Sequence, residues 1–291
     1  MFWQKKKPKR KTKKVPPPHI QKQKNIGEQI NKRFSEGTKQ ESEKKSEKKP
    51  AGEKPKKVLD SRKEFLRVFN QLTNRHRSWD VWRDFIVMYA CALSNPVDKE
   101  HYDEREALYL RTIKKYNKQE QPLFSELAAY TVMALEENPE QDFLGSIYMS
   151  LNLGNQHNGQ FFTPYHVCEL MAEITMQDSV LKTEKEGYLT INDPCCGAGA
   201  TLIAGVHAAR KRLEKVGYNY QNHILVVAQD IDQTVALMCY IQLSLLGVAG
   251  YVKVGNSLTD PITENDSKEN YWFTPMYFFP VWSMRRLFRE M

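Results

Sequence analysis

The sequence predicts an α/β fold in which a parallel sheet with crossover helices follows a helical region and a disordered basic tail. Three observations predict it. Apolar, β-rich runs at 188–192, 223–229 and 251–254 alternate with helical patterns at about 165–176, 199–214 and 233–247, which is how a parallel sheet with crossovers is written. A glycine-containing turn, Asp193 to Ala200, stands between the first of these runs and its helix, where doubly wound sheets bind ligands. Upstream, from Ser61, apolar residues recur at helical spacing.

The tail comes first in the chain. The 291 residues can bury one sizeable core or two modest ones, and 41% apolar with 11% aromatic content is ordinary for a globular protein. The net charge of +8 is unevenly spread: residues 1–57 carry 20 Lys and Arg against 6 Asp and Glu, which leaves the rest net acidic. That segment holds a lysine block at 5–14, three prolines at 16–18 and almost nothing apolar, so it cannot recover the entropy of ordering. A non-specific tether to DNA phosphates is its functional reading, and a solvated leader its plain one. No apolar run approaches the ~18 residues of a membrane helix and no secretory leader is visible, so a cytoplasmic protein without membrane contact is expected. The five cysteines lack zinc-ligand spacing, and reduced structural thiols with no metal are expected.

The helical region spans 58–153. Phe65, Leu66, Phe69 and Leu72 share one face, as do Trp82, Phe85, Ile86, Tyr89 and Leu93 after a polar break. Further helices are predicted at roughly 99–116, 122–137 and 140–153, punctuated by Pro122 and by Asn138-Pro139. The aromatic positions fall at core spacing and read as packing, not base stacking.

The α/β domain, 154–291, carries the chemistry. In Asp193-Pro194-Cys195-Cys196-Gly197-Ala198-Gly199-Ala200 the glycines let the backbone approach a ligand, and the helix that follows offers unpaired N–H groups. The acidic residue ahead of the glycines suits a cationic amine better than a pyrophosphate. The next strand ends in Asp230, about thirty residues downstream, where a ribose-binding acid sits in doubly wound folds. Asp232 reads as an N-cap and Gly247 as the residue after a helix end.

These residues carry a resemblance to the adenine-N6 DNA methyltransferases, most closely the modification subunits of type I restriction systems. Gly159-Gln160-Phe161-Phe162-Thr163-Pro164 resembles the family's G-Q-[FY]-F-T-P segment, which lines the cofactor pocket; Thr163 is read as a cap and Pro164 as the first helical residue. Asp193 to Ala200 is similar to the D-P-x-C-G-[ST]-G-x loop, with Ala198 at the small-hydroxyl position, and the Ala-Gln-Asp-Ile-Asp run at 228–232 resembles the family's G-Q-[ED] ribose segment. Gly255-Asn256-Ser257-Leu258 is similar to G-D-[ST]-L, with Asn256 where the family has the carboxylate that meets the cofactor's adenine; an amide oxygen can still accept that bond. The resemblance implies a partial Rossmann-like methyltransferase domain using S-adenosyl-L-methionine, held by Gln160, Phe161, Phe162, Thr163, Pro164, Asp193, Pro194, Gly197, Gly199, Asp230 and Asn256. It also implies a DNA partner, restriction-modification and a specificity or other partner subunit.

The family's chemistry uses an Asn/Asp-Pro-Pro-aromatic tetrapeptide to hold a flipped adenine, and this sequence contains none. Thr274-Pro275-Met276-Tyr277 stands at the expected distance, so Thr274, Pro275 and Tyr277 are the candidate, degenerate catalytic residues. The plainer reading makes the aromatic-rich stretch from Tyr271 to Phe288 a cover for an exposed sheet or a protein contact. Only 14 residues follow Tyr277, so a C-terminally incomplete sheet is expected. Three functions follow: an S-adenosylmethionine-dependent DNA adenine methyltransferase, a non-catalytic cofactor- and DNA-binding accessory or decoy, or a truncated reading frame.

Overall fold

The computed structural model describes residues 60–153 and 161–289. The basic tail, Gly159 and Gln160 lie outside the described residues.

Among the described residues the helical layer is built from five helices. Helix α1 (Ser61–Thr73) starts where the Asp60 carboxylate accepts the Lys63 N–H at 3.0 Å, and it buries Phe65, Val68, Phe69 and Leu72. Helix α2 (Ser78–Ser94) is apolar on nearly every side, as a central helix must be. Helices α3 (Tyr102–Ile113), α4 (Gln121–Glu137) and α5 (Phe143–Ser150) complete the layer. The last begins later than its predicted start because Asp142 caps it, accepting the Gly145 N–H at 2.8 Å. Phe65 sits edge-on to Trp82, Phe85 and Phe143 at 6.1, 5.6 and 5.7 Å between centroids, so the predicted aromatic positions are core.

Helices α6 (Tyr165–Thr175) and α7 (Ser179–Glu186) lead into the sheet. Strands β1 (Leu189–Asp193), β2 (Ile224–Asp230), β3 (Ala249–Val254) and β4 (Tyr271–Phe273) lie in the order β1-β2-β3-β4. The first three are parallel, and β4 runs antiparallel to β3. Helix α8 (Ala200–Lys215) and the single turn α9 (Tyr220–His223) connect β1 to β2, and α10 (Gln233–Leu245) connects β2 to β3. Helix α11 (Pro280–Arg289) follows β4. Leu189 and Ile191 are buried whereas Thr190 and Asn192 are exposed, so one face of β1 carries the core.

Strand β1 runs one residue further than predicted, which carries Asp193 into the strand end, and β2 ends at Asp230 as read. The cap and stop of α10 are as read: Asp232 accepts the N–H groups of Thr234 and Val235 at 2.8 and 3.2 Å, and Gly247 has φ 66°. Residues Leu59–Met291 form one compact unit with a continuous core from Phe65 to Trp272. Buried residues of the helical layer and of the sheet both belong to this core.

Candidate functional site

Parallel strands end at one edge of the sheet, and β1, β2 and β3 bring Asp193, Asp230 and Asn256 there in turn. Asp193 fixes the start of the turn: one carboxylate oxygen accepts the Cys195 N–H at 3.0 Å and the other the Thr201 hydroxyl at 2.5 Å. Gly197 and Gly199 have φ of 55° and 98°, a region open to glycine at little cost. A Cβ on Gly199 would also lie 2.9 Å from Cys239 Sγ, so this glycine lets α8 start hard against α10. The neighbouring Cys239 thiol and burial hold the Cys196 thiol well above its ordinary value, leaving it an inert packing group.

Asp230 ties the second strand to the same turn. Its carboxylate accepts the Gly197 N–H at 2.9 Å and the Asp232 N–H at 3.0 Å. Burial pushes this carboxyl above its usual value, and those two backbone donors oppose the shift. Each oxygen keeps a second lone pair for a ligand hydroxyl.

The Phe161–Pro164 segment closes the cleft from the other side. Phe161, Phe162, Thr163, Asp193, Gly197 and Thr201 are among the residues that line a space of about 140 Å³. Phe162 stacks on Tyr148 of α5 at 5.4 Å and 24°, and a Cβ on Gly197 would touch its ring at 3.4 Å. Phe161 is 75% exposed, so one ring is structural and the other faces outward. Pro164, not Thr163, stands at the cap of α6: its ψ of 136° is extended, and helical backbone begins at Tyr165. Pro194 is exposed on the turn. Asn256 bends its side chain into its own loop, where Oδ1 accepts the Leu258 N–H at 2.9 Å.

The structure does not bring Thr274, Pro275 and Tyr277 to this edge. Thr274 is fully buried, its hydroxyl donating to the Val248 carbonyl at 2.7 Å and accepting the Gly250 N–H at 3.0 Å. Val248 and Gly250 mark the start of β3, so these residues sit at the opposite end of the sheet from the glycines. Tyr277 stacks on Phe273 at 4.8 Å and lies under the Arg286 guanidinium at 4.0 Å. The aromatic stretch becomes strand β4, a 3₁₀ turn at Pro275–Phe278 and helix α11.

Sequence reasoning missed two supports of the site. Thr201, directly after the glycine turn, holds Asp193, and its signal was the hydroxyl beside the motif. Tyr148 backs Phe162 from the helical layer, a contact between distant segments that periodicity cannot report.

The donor set fits a cationic amino acid joined to a nucleoside. Two carboxylates at adjacent strand ends face a turn whose glycines keep side chains out of the cleft, and a helix N-terminus opens beside them. Among the described residues no group of three or more His, Cys, Asp or Glu side chains is arranged to hold a metal ion, and no helix is long and apolar enough to cross a membrane.

No curated protein matches the chain. A solved structure from Listeria monocytogenes, described as a class I S-adenosylmethionine-dependent methyltransferase, is similar at 14% identity with a TM-score of 0.39. The likeness covers 77% of this chain and 69% of that one. The family model of the N-6 DNA methylases matches residues 140–289. That match takes in α5, the Phe161–Pro164 segment, the glycine turn and both acidic strand ends, and with just over half of its residues inside it the chain belongs to the N-6 DNA methylase family.

Proposed function

We propose that the cleft at the ends of β1 and β2 binds S-adenosylmethionine, and that the protein serves methylation of adenine N6 in DNA. The observation that carries this reading is the convergence of Asp193, Asp230, the Gly197–Gly199 turn and Phe162 on one edge of the sheet. Asp193 would meet the cationic methionyl amine, Asp230 the ribose hydroxyls, and Asn256 the adenine end. The cofactor, when bound, supplies an activated methyl group. Phe161 and Phe162 offer apolar cover on the side facing Asp193.

Calorimetry with S-adenosylmethionine tests the site. Millimolar ligand without heat, or affinity unchanged by Asp193→Ala, would sink it. Incorporation of labelled methyl groups into DNA then tests the reaction.

A second reading is favoured by one observation: Thr274 and Tyr277 lie at the far end of the sheet, engaged in packing. On that reading the chain binds cofactor and DNA as an accessory protein or decoy, and adenine is held by residues supplied by a partner subunit. Binding without methyl incorporation by the chain alone, with incorporation restored by a partner, is its signature. The basic tail at 1–57 is assigned to DNA phosphates in either case. Deleting it is expected to lower DNA affinity and flatten the dependence on salt, because fewer counterions are released; an unchanged slope assigns DNA contact elsewhere.

A further inference from the structure

Gln242 of α10 is fully buried, and its amide is committed on three sides. Its Nε2 group donates to the Ala198 carbonyl at 2.9 Å and to Asp142 Oδ1 at 2.8 Å, while its Oε1 accepts the Leu144 N–H at 3.0 Å. Ala198 is the residue between the two glycines of positive φ. Its carbonyl shares a peptide plane with the Gly199 N–H, so fixing one aims the other. The turn's other backbone hydrogen bonds stay within the site or run into α8: Cys196 N–H donates to the Gln229 carbonyl, Gly197 N–H to Asp230 and Gly199 N–H to the Cys196 carbonyl, and the Gly199 carbonyl accepts the Ile203 N–H. Among the described residues Gln242 is the hydrogen-bonding link from the turn to the start of α5, where it also holds the cap Asp142 and Leu144.

Such a bond matters most at glycines. A turn of two left-handed residues around one alanine has many conformations open to it in the unfolded chain and few side chains to restrict it. An unpartnered carbonyl at Ala198 would also be costly where it lies, because the residue is buried.

We propose that Gln242 is a positioning residue for the cofactor turn, holding Gly197-Ala198-Gly199 in its binding conformation from the helical layer. The inference rests on the cofactor site proposed above. A merely structural glutamine would cost stability when replaced and leave the affinity of the folded protein alone. A positioning glutamine changes both.

The test compares Gln242→Leu with Leu243→Ala, a neighbouring fully buried residue of α10 whose loss also destabilises the core. Both full-length variants are titrated with S-adenosylmethionine at a temperature where each is folded. Gln242→Leu is expected to weaken binding about tenfold, the scale of one lost buried hydrogen bond, and Leu243→Ala to leave it within about twofold of wild type. Equal affinities, or equal losses, overturn the proposal. Hydrogen exchange of the unliganded proteins supplies an arm that needs no cofactor. Gln242→Leu should speed exchange across 196–200 while the centre of α10 stays slow, and uniform acceleration of both overturns the proposal. If Gln242→Leu does not fold, wild type decides: the Gly199 amide must exchange as slowly as those of α10, and fast exchange there overturns the proposal. Wild type that binds no S-adenosylmethionine defeats the site reading instead, and the exchange arm still decides the role of Gln242.

Discussion

At Gly199 two constraints meet in one residue. Its φ of 98° disfavours any side chain, and a Cβ would stand 2.9 Å from Cys239 Sγ and 3.4 Å from Cys239 Cα. Gly217 shares the first constraint, with φ 85°, but has nothing within 4 Å. Gly217→Ala is therefore expected to cost about 1 kcal/mol of unfolding free energy, and Gly199→Ala about 3 kcal/mol, measured by urea titration. Similar costs at the two positions would mean that the Cys239 contact relaxes freely. Asp230 gives a pH dependence. Burial raises its folded pKa above the unfolded value, so over the window above about pH 3.8 the native state takes up a proton first. As pH falls through that folded value, stability owed to this residue rises, while affinity for a ligand that donates hydroxyls to the carboxylate falls. Calorimetry from neutral pH into mild acid should show that loss of affinity, and Asp230→Asn should abolish the pH dependence along with most binding. The glycines were legible in the sequence because a strand-to-helix turn with positive φ admits little else, and the two acids because each closes an apolar run. Thr201 and Gln242 were not, since a hydroxyl or amide declares its partner only when distant segments meet.

Elements were legible where one face is buried and opaque where none or all of it is. Helix α10 is buried on almost every side, yet its ends were readable from Asp232 and Gly247, whose roles are local. Asp232→Ala removes acceptors for two N–H groups and is expected to cost about 0.5–2 kcal/mol. Calorimetric melting checks this, and an unchanged midpoint would show that packing alone sets the start of α10. Helix α7 escaped prediction because Ser179–Glu186 buries only Ser179 and Thr183, both polar. Strand β4 escaped because Tyr271, Trp272 and Phe273 are all buried, which erases the alternation that marks a strand. Its place was fixed by tertiary contacts: Arg105 donates to the Tyr271 carbonyl at 2.6 Å and lies 4.0 Å over the Trp272 ring.

For the whole molecule, the shared core has a thermodynamic consequence. Helix α5 meets the glycine turn through Tyr148 and Phe162, and Arg105 of α3 meets β4, so neither layer can open without exposing the other. Residues 60–289 are expected to unfold in one cooperative step, with far-ultraviolet circular dichroism and tryptophan fluorescence giving the same midpoint. Trp79 and Trp82 report on the helical layer and Trp272 and Trp282 on the sheet, so two separated midpoints would show independent layers. The sheet's borders are unequal as well. On one side β4 is only three residues long and is bracketed by 3₁₀ turns at Lys268–Asn270 and Pro275–Phe278, the kind of short border that resists further pairing. On the other, β1 has no neighbour beyond it among the described residues, and it is the strand that delivers Asp193. The sheet is thus asymmetric: among the described residues, the edge that leaves a ladder open is the one that also carries Asp193 and opens into the glycine turn.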